Sequence, residues 1–181
     1  EILHESPWQL QGPSADPSGR RVAFIEGWSS DRGLVAGAIR ILDLDSRRVT
    51  TLADDGLSNV TAIAWRDAGS LWFAGWARLG STHGVIGLDG TIEWREQEDA
   101  VIGPSSFLAQ ISPAPNATGF AAIRETVSAP PEIVFKRTPK STSVPVTALN
   151  ADVARGFDSY PEVRAVTWPG AGGLAMEGLV L

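Results

Sequence analysis

The sequence predicts an all-β fold, a partial β-propeller of about three four-stranded blades, and three observations lead there. A strand-turn-strand phrase recurs about every fifty residues along a chain of 181. Each repeat holds about four short runs of apolar and β-branched residues, the blade pattern. No helix-period stretch exceeds about two turns, and only residues 151–157 suit one short helix.

The phrase reads Ala15-Asp16-Pro17-Ser18-Gly19-Arg20-Arg21-Val22-Ala23-Phe24 in its first copy and Ala64-Trp65-Arg66-Asp67-Ala68-Gly69-Ser70-Leu71-Trp72-Phe73 in its second. Weaker copies occupy 111–122 and 166–176. This spacing places blades at about 12–53, 58–100 and 106–150, within a propeller portion of 1–160. A β-sandwich with chance turn similarity is the competing fold, and the recurrence of one opening phrase favours the propeller.

In the first unit, 21–25 and 38–44 are strands, and Asp45-Ser46-Arg47 turns the chain into a partner strand at 48–52. Asp43 and Asp45 suit that turn because their carboxylates bond local backbone. In the second unit, strands at 61–65, 71–74 and 84–88 lead to Asp89-Gly90. That pair predicts a two-residue hairpin with positive φ at both positions, returning through 91–94. The third unit holds 120–124, a break at Pro130-Pro131, a strand at 132–136, a polar loop at 138–143 and a closing strand at 144–149. Pro145 suits a sheet edge, where no ladder donor is needed.

Composition excludes several classes of function. Hydrophobic content of 43% and charged content of 20% are globular values, so extensive disorder is not expected. A net charge of -6 with no Lys/Arg run longer than two argues against nucleic-acid and anionic-membrane partners. No stretch approaches the ~20 apolar residues of a membrane helix. With no cysteine, thiolate catalysis and Cys-based metal sites are excluded. Two histidines and scattered carboxylates give no spaced metal-ligand set, and no glycine-rich phosphate loop links a strand to a helix, so no cofactor is expected.

Nucleophilic hydrolysis needs a Gly-x-Ser-x-Gly elbow with an acid and a histidine. Gly27-Trp28-Ser29-Ser30-Asp31 and Gly103-Pro104-Ser105-Ser106-Phe107 both lack the closing glycine, and His4 and His83 sit in no triad context. No catalytic residue is assigned.

The blade phrase is similar to the Ser-Pro-Asp-Gly-Lys/Arg-x-Ile-Ala-Phe opening of the prolyl oligopeptidase family of serine peptidases, with Ser18 at the usual aspartate. Pro130-Pro131-Glu132-Ile133-Val134-Phe135 resembles the proline-glutamate-hydrophobic strand of that family's last blade. Val146-Thr147-Ala148-Leu149-Asn150 resembles its leucine-threonine-x-leucine-asparagine ending. Residues 161–168 and 173–180 resemble the passage into the family's α/β-hydrolase domain, with Ala171-Gly172-Gly173 replacing the usual Asp-Gly turn. The resemblance implies a propeller segment of an acylaminoacyl peptidase or dipeptidyl aminopeptidase-like enzyme, with 161–181 crossing into a catalytic domain beyond Leu181. Chain ends at Glu1 and, in mid-strand, at Leu181 agree with a piece of a larger protein. The implied partners are that α/β-hydrolase domain and a peptide substrate, with the propeller acting as size filter. The rival expectation is a non-enzymatic propeller binding a protein or carbohydrate.

Residues 23–33 also resemble one branch of that family. There Glu26, Asp31 and Arg32 are candidates for holding a peptide terminus by ion pairing, against the plainer role of surface turn charges. Of seven tryptophans, Trp65, Trp72 and Trp94 fall inside strands and are expected to pack between blades. Trp28 and Trp76 lie near loops and are the candidates for lining a cavity.

Overall fold

The computed structural model describes residues 1–29, 35–52, 57, 59–115, 118–157 and 162–180, which form a nearly all-β, open propeller. The first blade runs β1 (Gln9–Ala15), β2 (Arg21–Ser29), β3 (Val35–Asp43) and β4 (Val49–Leu52). The second runs β5 (Val60–Trp65), β6 (Ser70–Ala77), β7 (Gly80–Gly87) and β8 (Ile92–Glu98). A short β9 (Val101–Ile102) then pairs with β11 of the third blade. That blade comprises β10 (Ser112–Pro113), β11 (Phe120–Thr126), β12 (Ala129–Lys136) and β13 (Val144–Pro145). The expected short helix is α1 (Ala151–Phe157), and β14 (Arg164–Pro169) pairs with β15 (Ala175–Val180) in a separate hairpin. Each blade is an antiparallel meander, and one pair, Gly37 with Val60, joins the first blade's sheet to the second's.

All four copies of the recurring phrase fall at one place, the turn between the first and second strands of a unit. In the first, Asp16 Oδ1 accepts the Arg20 and Arg21 N–H groups at 2.8 and 3.0 Å, and Ser18 donates to Oδ2 at 2.7 Å. Gly19 takes φ of +70°, which explains its place in the phrase. Asp67 repeats the device by accepting the Gly69 N–H at 2.7 Å. The Ser18 hydroxyl and the Gly69 amide, respectively, hold these carboxylates below the usual aspartate range.

Side chains tie the first strand of one unit to the next unit. Gln11 donates to the Thr61 carbonyl at 3.1 Å, Trp65 Nε1 to the Ser14 carbonyl at 2.9 Å, and Thr61 to the Ala109 carbonyl at 2.7 Å. Two apolar layers separate the blades. Ile25, Ile39, Leu71, Phe73 and Ile86 fill the first seam; Trp72, Val85, Ile102, Phe120 and Val134 fill the second. The second blade is thus covered on both faces, and every residue of β7 is buried. Trp65, Trp72 and Trp94 pack against these layers as expected.

Three local expectations are corrected. The Asp89-Gly90 connection is a three-residue loop: Gly90 donates to the Gly87 carbonyl and Gly87 to the Thr91 carbonyl, both at 2.9 Å. Only Gly90 has positive φ, at +85°, because Asp89 caps the Thr91 N–H rather than entering the left-handed region. Pro130 and Pro131 do not break the strand. They lie within β12 where its register with β11 shifts, so their missing donors interrupt no regular ladder. Asp43 does cap its turn through the Ser46 N–H at 2.8 Å, but Asp45 instead pairs with Arg20 at 2.6 Å. Pro145 is on the sheet edge, as predicted.

The outer faces differ. Residues 1–8 cover the first blade's, where the His4 and Phe24 rings lie 5.4 Å apart. On the third blade's, Ile123 and Ile133 are exposed.

Candidate functional site

Of the candidate residues from the sequence, Glu26, Trp28 and Trp76 are described, and Trp76 lies apart from the other two. Glu26 lies within β2 rather than in the following loop, and it is buried. It meets Arg40 of β3 at 2.5 Å and His4, within the covering residues 1–8, at 3.0 Å. Burial pushes its carboxyl up, but hydrogen bonds from Ser6 and His4 and the Arg40 charge outweigh that and leave it below the usual glutamate range. Trp28, two residues on along the same face, is 72% exposed and touches the Trp8 ring at 5.5 Å. Asp31 and Arg32 lie outside the described residues. Trp76, next to last in β6, packs partly into the second seam and donates to the Phe107 carbonyl at 3.3 Å. Ser6, two residues from His4, hydrogen-bonds Glu26.

A cleft of about 530 Å³ opens elsewhere, at the loop ends of the second and third blades, and the β14–β15 hairpin closes one side. It forms because Ala77 pairs directly with Gly80, leaving a two-residue turn of Arg78 and Leu79. Arg78 sits at φ of +53°, an uncommon conformation for a residue with a side chain. From there its Nε reaches both Glu177 oxygens, at 2.9 and 3.0 Å, and docks the hairpin. The Arg78 hydrogen bond draws the Glu177 carboxyl below its usual range and in turn raises the guanidinium.

Leu79, Val101, Val127, Val163, Ala165 and Leu179 supply an apolar wall to this cleft, and Asp99 and Glu125 add carboxylates at its lining. Arg78 is its one cationic lining residue and is already paired. The arrangement suits a small apolar group carrying positive charge. Among the described residues no cluster of ligating side chains is arranged to hold a metal ion. Sequence reasoning missed Arg78, Asp99 and Glu125. Nothing in an Arg-Leu pair signals a tight turn, since neither residue favours positive φ.

Glu132 has a different role. Its carboxylate accepts the Thr147 hydroxyl and the Leu149 and Asn150 N–H groups, the latter two at 3.1 and 2.6 Å. Asn150 closes the ring by donating to the Pro131 carbonyl at 2.6 Å. The Thr147 bond is the largest influence holding Glu132 below the usual range.

No family model matches the chain, and no curated protein matches it in sequence. Solved structures do resemble it. The β-propeller domain of Myceliophteria thermophila Cps50 (Swd1) aligns with a TM-score of 0.56 at 16% identity, over 97% of this chain and 50% of that one. The acylaminoacyl peptidase of Pyrococcus horikoshii aligns with a TM-score of 0.51 at 12% identity, over 77% of this chain and 25% of that one. At such identities the likeness concerns the propeller fold alone. The chain spans half the length of the first neighbour and a quarter of the second.

Proposed function

We propose that the chain is a non-catalytic propeller segment of a serine peptidase acting on short peptides or acyl-peptides, where it walls the chamber and filters substrates by size. One observation carries this reading. The two stretches that resemble the family's last blade, around Pro131-Glu132 and Thr147-Asn150, meet in a single hydrogen-bonded device through Glu132. A matched pair of motifs that also meets in space is stronger support than either motif separately. The acylaminoacyl peptidase neighbour agrees with it at the level of fold. In this reading the catalytic serine, acid and histidine belong to an α/β-hydrolase domain outside these residues, and residues 161–181 lead towards it. The cover excludes folded chains sterically and limits water around the reacting acyl group. The apolar cleft with Asp99 and Glu125 provides contact for a peptide carrying positive charge.

The deciding experiment is the intact mass of the natural protein, with and without a fluorophosphonate serine-hydrolase probe. A species larger than 19.2 kDa, or a co-purifying chain, that gains the probe mass is expected. A single species near 19.2 kDa that takes no probe overturns the reading. It would leave a propeller-type binding module for a protein or carbohydrate, which the Swd1 likeness over almost the whole chain favours as second choice.

A further inference from the structure

The seam between the second and third blades contains a histidine that the proposed role does not use. His83 lies in β7 facing the third blade, with 0% of its surface exposed. The Trp94 and Phe120 rings meet it edge-on at centroid distances of 5.3 and 5.1 Å, and neither imidazole nitrogen has a hydrogen-bond partner. Glu96 and Glu98 of β8 place carboxylate oxygens 4.0 and 3.9 Å from Nε2, beyond hydrogen-bond reach. Both carboxylates are already engaged across the seam. Glu96 pairs with Lys136 of β12, whose ammonium also lies 5.3 Å over the Trp94 ring, and Glu98 accepts Arg124 Nε of β11 at 2.8 Å. Across β6 the ring's cross-strand neighbour is Ala74, and Arg95 of β8 bonds Thr82, outside this cluster.

This pocket treats the neutral ring as an aromatic hydrocarbon. Protonation adds a charge and a second N–H donor in a place without free acceptors. Two responses are available. The imidazolium stays buried and unpaired, which is costly. Otherwise Glu96 and Glu98 turn towards it and release Lys136 and Arg124, breaking two ion pairs that cross from the second blade to the third. Each response weakens the same seam.

We propose that His83 is a proton-operated latch: the seam between the second and third blades is closed while its imidazole is neutral and loosens when it takes up a proton. Burial draws the His83 pKa below the ordinary histidine value; Glu98 and Glu96 oppose this, and Lys136 adds to it. The sign follows from that direction. Closed-seam stability is complete above the open-state value of about 6.5 and is lost as pH falls from there through the lower closed-state value. Within that window the closed-to-open ratio falls about tenfold per pH unit, one proton being taken up on opening.

The test is amide hydrogen exchange of β7 in the full chain, from about pH 7.5 to about pH 5, on the unmodified protein, His83→Gln and His4→Gln. Because His4 is the only other histidine, the two variants separate the sources of any change in this range. After correction for intrinsic exchange, β7 protection is expected to drop about tenfold per pH unit below about 6.5 in the unmodified protein and in His4→Gln, and to stay flat in His83→Gln. An unchanged profile in His83→Gln, or one abolished by His4→Gln, overturns the latch. Should His83→Gln not fold, NMR titration of the unmodified protein decides: an imidazole titrating at or above about 6.5 refutes the proposal, and one titrating below it together with seam exchange supports it.

Discussion

The two seams beside the second blade are built by opposite faces of the same strands, yet with different chemistry. Leu71, Phe73 and Ile86 face the first blade and meet Ile25, Ile39 and Leu57, so that seam is an apolar layer. Trp72, His83 and Val85 face the third blade, where Lys136, Arg124, Glu96 and Glu98 accompany the apolar residues. Apolar burial is indifferent to pH and scales with area removed from water. The second seam instead contains groups whose charge state matters. One sheet thereby presents one fixed interface and one adjustable interface.

The most disruptive way to probe the fixed seam is Phe73→Ala. Its ring is wholly buried, so lost transfer energy and a residual cavity cost about 3–5 kcal/mol. Urea unfolding should show a correspondingly lower midpoint, to the same extent at pH 7.5 as at pH 6. A pH-dependent loss would mean that the seams are not energetically distinct.

In the adjustable seam, Glu96→Gln strands the Lys136 ammonium, which is 4% exposed. A fully buried pair broken this way costs about 3–5 kcal/mol, but Glu96 is 34% exposed, so about 2–3 kcal/mol is expected. Adding Lys136→Met should recover most of that loss, since the methionine fills the stem's volume without its charge. A double variant no more stable than Glu96→Gln would show that the charges do not govern this seam.

These seams show how far the sequence could be followed. The first two blades were legible because each opens on the same Asp/Gly turn, and the reason is local: Asp16 and Asp67 bond backbone amides within a few residues. The short helix was legible as the one stretch that suits a helix period. The strands of β7 were harder, because Gly80-Ser81-Thr82-His83-Gly84 does not look like the interior of a protein. It is buried only because blades lie on both sides, a tertiary circumstance. The cleft was illegible for a similar reason. Arg78 meets Glu177 across 99 positions of sequence, and no local spacing encodes that meeting.

A substitution in the second blade's own loop should touch both seams equally. Gly90→Ala forces a side chain into a left-handed backbone at φ of +85°, at a cost of about 1 kcal/mol. Hydrogen exchange should rise in β7 and β8 together. A response confined to one seam would place that seam's stability outside the shared sheet.

The smallest effect is expected where the hairpin meets the blades. Arg78→Ala removes the link to Glu177, but it buries no new surface, and exposed ion pairs contribute little to global stability. The denaturant midpoint should stay unchanged while amides of β15 exchange faster. The same link should fade with acid in the unmodified protein. Arg78 depresses the Glu177 pKa, so its contribution is complete above the ordinary glutamate value of about 4.3 and is lost as pH falls through the lower docked value. Arg78→Gly separates the ion pair from the backbone, because glycine accepts the φ of +53° that arginine adopts under strain. That variant should free the hairpin as fully as alanine does while protecting the β6–β7 turn better than arginine. If glycine instead leaves β15 as protected as in the unmodified chain, the hairpin is held without this ion pair, and the pair is incidental.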